Sequence, residues 1–364
     1  MKRKDFKLLI IDRYIIKQFL GTFAFIIVLI IAITVVFDVN EKIDAFLKPE
    51  VTLYEIVFHY YANFIPYFIG LFSPLFSFIT VIFFTSKLAD RSEIIAMLSN
   101  GVSFNRLMLP YLISATFIAS GNYVLSAYIV PKANETRIAF QNSYIKNRQV
   151  SSAGNVQLEV EPGVFAYFDR YSALSSMGYR FSLDRFEGKQ LVSRLTAGSI
   201  KYDSLHQWTI IDYVVRDFDG MNQRISTGTR KDTTLMFVPS DFLISESDCE
   251  TMTSPELAKH IKRQKLRGIR NIRTFEIEYH LRYATIMSFY ILTIIGLSLS
   301  SRKIKGGMGL NIGIGLGLSF AYVLFSKISA TFAISGLVTP IIAVWIPNML
   351  YVFITVYLYR KAPR

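Results

Sequence analysis

Charge is scarce in this chain. Only 18% of its 364 residues are Asp, Glu, Lys or Arg, where an average soluble protein carries about 25%. Cysteine is almost missing. The single Cys249 excludes an internal disulfide, and His59, His206, His260 and His280 lack ligand spacing, so a zinc site is not expected. No G-x-x-x-x-G-K-[ST] phosphate loop and no G-x-S-x-G nucleophile elbow occurs. No span shows a buried pair of ionisable groups, which argues against an intramembrane enzyme. No cofactor is expected, and any work the chain performs must draw its energy from a partner.

What is abundant is apolar surface. Hydrophobic residues make up 52% of the chain, with 30 Phe and 21 Tyr. Six uncharged runs reach the 18 residues that mark a membrane span: Phe19 to Phe37, Val57 to Ser86, Leu107 to Val130, Tyr283 to Ser301, Gly306 to Ser326 and Ile328 to Tyr359. The second and sixth exceed a span and are expected to include loop. The first run is too long for a secretory signal and no small-residue cleavage site follows it.

Lys and Arg decide the orientation. Fifteen fall in the short segments on one side of the six spans and three, Lys42, Lys48 and Lys327, on the other. Both termini are therefore expected in the cytoplasm of a multi-pass membrane protein. The net charge of +13 suits anionic headgroups and requires no nucleic acid.

Between spans three and four lies a polar insert, 132–282, dividing the chain into 1–131, 132–282 and 283–364. "VQLEVEPGVFAYF", "YRFSLDRFEG", "SRLTAGSIKYDS", "QWTIIDYVVRDFDG" and "TTLMFVPSDF" alternate with period two between Gly, Asp and Pro turns. They predict an all-β domain outside the cytoplasm, either a sandwich or an open jelly-roll-like half barrel. Alternation leaves two uses open: a rigid binding module, or a sheet whose apolar interior carries lipid. A basic run follows, Lys259 to Arg273, which is a solvated helix face or a contact for anionic headgroups.

Three features bear on function. "TSKLADRSEIIAMLSNGVS", between spans two and three, reads as a short cytoplasmic helix over 88–101. Asp90 and Glu93 form a variant capping box, Ile94, Ile95 and Leu98 an apolar face, and Gly101 a stop. Gly309, Gly313 and Gly317 recur every four residues in span five, a small-residue face for close helix packing. Asp38, Glu41 and Asp44 sit past the end of span one beside Lys42 and read as a solvated loop.

"IIDRYIIKQFLGTF", "LADRSEIIAMLSNGVS" and "EIEYHLRYA", together with the three-span, β-domain, three-span layout, resemble the lipopolysaccharide-export permeases of the LptF/LptG type across essentially the whole chain. The resemblance implies a non-catalytic permease in the bacterial inner membrane. It would pair with a second permease of the family and bind a cytoplasmic ABC-type ATPase dimer. Lipopolysaccharide would enter between span one of one permease and span five of the other. It would leave through a single-span protein with a periplasmic β-domain and a soluble periplasmic bridge. The helix at 88–101 would be the coupling helix, with Glu93 the acidic contact, Asp90 and Arg91 beside it, and Ile94, Ile95 and Leu98 seating it. The family can carry lysine near the outer end of span one; here Asp38 stands nearest, with Lys42 one turn on. Asp38, Lys42, Arg267 and Arg270 are the candidate headgroup contacts. The competing class is a membrane-anchored sensor whose β-domain binds a ligand.

Overall fold

In hydrocarbon every backbone N–H and C=O must be bonded within its own segment, so long uncharged runs fold as helices. A computed structural model describes residues 9–145, 152–220, 222–239, 242, 246–266, 272–301 and 307–362. The first four helices are α1 (Ile10–Phe46), α2 (Glu55–Asp90, opening with π-helical turns), α3 (Glu93–Ser99) and α4 (Phe104–Ile145, with π-helical turns at Leu125–Ile129 and Gln141–Ile145). After the sheet follow α5 (Ser254–Leu266), α6 (Arg273–Ser300), α7 (Gly307–Ser335) and α8 (Pro340–Lys361). Among the described residues six helices are long and apolar enough to cross a membrane: α1, α2, α4, α6, α7 and α8.

Charge is a poorer guide to where a helix ends. Asp38, Glu41, Lys42 and Asp44 are not a loop but the last turns of α1. The run Val57 to Ser86 contains no loop, and α2 passes through both Pro66 and Pro74. Lys327, expected between spans, lies inside α7, and the true turn is at Gly336, where φ is +89°. A long cationic side chain near a helix end carries its head to the surface while its backbone stays helical.

The chain forms two compact units, Met1–Phe140 with Glu276–Arg364, and Gln141–Phe275. In the helical unit α2 and α6 are central: over their most apolar windows 56% and 61% of residues are buried, against 6% for α1 and 17% for α7. Phe19, Phe84 and Tyr111 pack between α1, α2 and α4, the last two stacked at 5.2 Å. Polar side chains fasten the other side. Asn348 of α8 accepts from Tyr322 of α7 (2.8 Å) and donates to the Ala284 carbonyl of α6 (2.9 Å).

The second unit holds an open, six-stranded antiparallel sheet in simple chain order: β1 (Ser152–Glu161), β2 (Val164–Ser172), β3 (Met177–Glu187), β4 (Gln190–Ser204), β5 (Gln207–Asp219) and β6 (Asn222–Thr234). One face is apolar: Leu158, Phe168, Phe181, Leu195, Ile200 and Trp208 are buried there. The chain after β6 covers that face with Leu235, Phe237 and Phe242, and Trp208 Nε1 donates to the Phe237 carbonyl at 3.2 Å.

The last of the expected strands is displaced. In "TTLMFVPSDF" only Thr233 and Thr234 belong to a strand; the described residues after them are part of the cover. The last strand is instead "NQRISTGTRKDTT", exposed along nearly its whole length and, among the described residues, paired only to β5. An edge strand that is polar on both faces shows no alternation, and such polarity protects an unpaired edge from sticking to others.

Candidate functional site

The segment between α2 and α4 forms a short helix with a defined start and stop. It does not begin with a capping box. Asp90 is the last residue of α2, still helical, whereas a cap needs extended backbone. The chain breaks at Ser92, which adopts φ +60° and makes no side-chain cap bond. The far end is as the sequence predicts. Gly101 takes φ +88°, its N–H reaches the Leu98 carbonyl at 3.0 Å, and the Val102 N–H reaches the Met97 carbonyl at 3.2 Å. That is the double bond pattern of a glycine-terminated helix.

The three apolar residues of α3 divide. Ile94 is fully buried among Ile15 and Phe19 of α1, Leu88 and Ala89 of α2, and Phe104 and Leu107 of α4, with Leu98 packed at the edge of the same cluster. Ile95 points away and is 49% exposed. Ile94 therefore seats α3 on its own bundle, and Ile95 is the apolar residue offered outward. Asp90 and Arg91 are exposed beside it. Glu93 is partly covered: it accepts from the Tyr14 hydroxyl of α1 at 3.2 Å and lies 4.0 Å from Arg91.

Next to this helix is a contact the sequence does not reveal. Asp12, only 2% exposed near the start of α1, takes both terminal nitrogens of Arg106 from α4, at 2.8 and 2.5 Å. The Leu9 backbone N–H supplies a third bond at 2.8 Å. The two side chains are 94 residues apart, and the one hint was chemical: an ionisable group bordering an apolar span needs a partner. A bidentate guanidinium–carboxylate pair fixes angle as well as distance.

At the other end of α1, Asp38 and Lys42 bond to each other rather than standing in solvent. Lys42 also donates to the Tyr60 hydroxyl at 2.5 Å and lies over the rings of Tyr60 and Phe64. Tyr60 and Tyr61 reach the Asp38 carboxylate at 3.2 and 3.1 Å. Contrary to expectation, an apolar span does end in an ionisable pair, with Asp38 buried and Lys42 partly so, because α1 outlasts its uncharged run. Arg267 and Arg270 lie outside the described residues. Of the basic run, Lys259, Lys262, Arg263 and Lys265 lie along α5, on its partly to fully exposed positions.

Between its two polar ends one face of α1 is bare. Phe25, Val28, Val36 and Phe37 are each at least 66% exposed. The glycine stripe of α7 is open as well. A Cβ at Gly309, Gly313 or Gly317 would meet nothing within 4 Å, whereas at Gly315 it would collide with the Ile82 side chain. The glycine at which α7 packs inside this chain is thus Gly315, one the four-residue spacing passed over. Among the described residues no group of His, Cys, Asp and Glu is placed to hold a metal ion.

These features sit in a sequence that matches, over residues 13–361, the family model described as Lipopolysaccharide export system permease LptF/LptG. No curated protein matches the chain.

Proposed function

The chain belongs to the lipopolysaccharide export system permease family, LptF/LptG, and from that premise we propose that it is one of two paired permeases driven by a cytoplasmic ATPase dimer. It is a lipopolysaccharide export permease and a multi-pass protein of the inner membrane. In our reading both termini and α3 face the cytoplasm and the β-sheet unit lies in the periplasm, as the fifteen-to-three bias of Lys and Arg favours.

The observation that carries this reading is the pair of spans left uncovered along one face. Both α1 and α7 pack on α2 along one side, but only 6% and 17% of their most apolar windows are buried, which leaves a long apolar face on each. A partner permease placed against them, with the open glycines Gly309, Gly313 and Gly317 allowing close approach, would complete a cavity between span one of one subunit and span five of the other. Apolar walls such as Phe25, Val28 and Val36 suit acyl chains. Removing those chains from the bilayer costs about 0.8 kcal/mol per methylene, so extraction needs an energy source. ATP hydrolysis on the partner supplies it, and α3 receives the motion through Glu93, Ile95, Asp90 and Arg91. The lipid then passes along the periplasmic sheets toward a single-span partner and a soluble bridge.

The test is purification of tagged protein from its own membranes in mild detergent, with co-eluting components identified by mass spectrometry. The expected set is an ATP-hydrolysing subunit, a second six-span permease and lipopolysaccharide. Glu93→Arg should lose the ATP-hydrolysing subunit while the permease remains folded in the membrane. Protein that elutes alone, or with a regulator and no nucleotide-binding subunit, would replace this reading with that of a sensor.

A further inference from the structure

A push on α3 has to be passed to the spans, and the backbone is poorly built to pass it. The helix has seven residues, and each flank is broken by a residue with positive φ, Ser92 at +60° and Gly101 at +88°. Such breaks interrupt the helical path on either side, so α3 is not continuous with α2 or α4. Side chains also tie it to the first turns of α1: Ile94 lies in one apolar cluster with Ile15 and Phe19, and Glu93 accepts from Tyr14. Arg106, at the start of α4 just beyond the Gly101 break, is bound twice to Asp12.

The helix that receives these contacts carries a polar fastening near each end. The buried residues of α1 are Asp12, Ile15 and Phe19 toward one end, Ile26 near the middle, and Asp38 and Phe46 toward the other. Asp12 to Asp38 spans 26 residues, about 39 Å at 1.5 Å per residue, close to the full thickness of a bilayer with its headgroups. Each of these carboxylates is a polar lock. Asp12 holds Arg106, and Asp38 holds Lys42, Tyr60 and Tyr61. Between the locks one face of the helix is bare and the other lies partly covered on its own chain, and the continuous helical backbone links one lock to the other.

We propose that Asp12 and Arg106, assisted by the Tyr14–Glu93 bond, are the positioning residues that join the coupling helix to span one, so that movement of α3 is delivered to α1. This rests on the assignment of α3 as the coupling helix. Asp12 and Arg106 touch neither nucleotide nor lipid; they decide whether hydrolysis is converted into extraction. The pair is suited to this in three ways. It is bidentate, it is desolvated on the Asp12 side, and it bridges α1 and α4, whose apolar residues share one cluster with Ile94 of α3.

The experiment uses the complete complex in proteoliposomes loaded with lipopolysaccharide, and reads three quantities: recovery of the ATPase subunit, rate of ATP hydrolysis, and lipopolysaccharide released to an acceptor. Asp12→Asn should keep the ATPase subunit and its hydrolysis while release falls about tenfold, a size ordinary for coupling between sites. Arg106→Lys, which keeps the charge but not the fork, should fall between Asp12→Asn and wild type. Tyr14→Phe should show the same split in smaller measure. Release unchanged in Asp12→Asn would overturn the proposal. So would a parallel fall of hydrolysis and release, since that marks a purely structural anchor. Glu93→Arg is run alongside. If it keeps the ATPase subunit, the coupling-helix reading itself has failed; if it loses the subunit while Asp12→Asn releases lipid normally, only the proposed link has.

Discussion

Asp12 and Asp38 stand near the two ends of one apolar helix, and neither is left to water. A carboxylate so placed must be paired, and removing its partner exposes the cost. Arg106→Ala should destabilise the solubilised protein by about 3 kcal/mol, the lower part of the range for breaking a buried pair, because the guanidinium is itself a third exposed. Thermal unfolding in detergent measures this; an unchanged midpoint would mean the pair is solvated in the membrane. At this scale the sequence is least informative. Ile94 and Ile95 are adjacent and chemically equal, yet one is fully buried and the other half exposed. Which one turns inward depends on where Ile15, Phe19 and Leu107 arrive, and no local pattern encodes that. The Asp12–Arg106 pair was hidden for the same reason, whereas Glu93 and its exposed neighbours could be picked out from a short charged stretch between two spans.

Elements were more legible, except where pattern and packing part company. Gly101 marked the end of α3 because left-handed backbone is cheap only for glycine. Gly101→Val should lower stability by about 1–2 kcal/mol, given strain at φ +88°, and should raise protease cleavage between spans two and three. Cleavage equal to wild type would count against that strain. The glycines of α7 make a sharper contrast. Gly315→Leu meets Ile82 and should destabilise the isolated permease by about 1–3 kcal/mol, the usual effect of overpacking. Gly313→Leu meets nothing within its own chain; it should leave the isolated permease intact and weaken recovery of the second permease. Full recovery of the second permease with Gly313→Leu would show that the open face has no such partner. In the sheet, five strands announced themselves by alternation, and β6 did not. Its residues face solvent on both sides, so the ladder to β5, rather than burial, makes it a strand.

Across the whole molecule, the plan of three spans, a β unit and three spans could be read from where charge is absent, since hydrocarbon tolerates few alternatives. The boundaries could not, because helices continue past the first charged residue, as α1 does to Phe46 and α7 to Ser335. This plan leaves one long surface uncovered, and in our reading one face of α1 stands bare between its locks because lipopolysaccharide and a second permease cover it. A photoreactive amino acid at Val36, which is 69% exposed, probes that surface, with Ile15, which is fully buried, as the control. After illumination of intact membranes, lipopolysaccharide adducts are expected at position 36 and none at position 15. Glu93→Arg should leave the position-36 adduct undiminished when ATP is supplied before illumination, whereas ATP lowers it in the wild-type complex. Labelling of position 36 by bulk phospholipid alone, with no lipopolysaccharide adduct under any condition, would mean that this face of α1 does not receive the lipid.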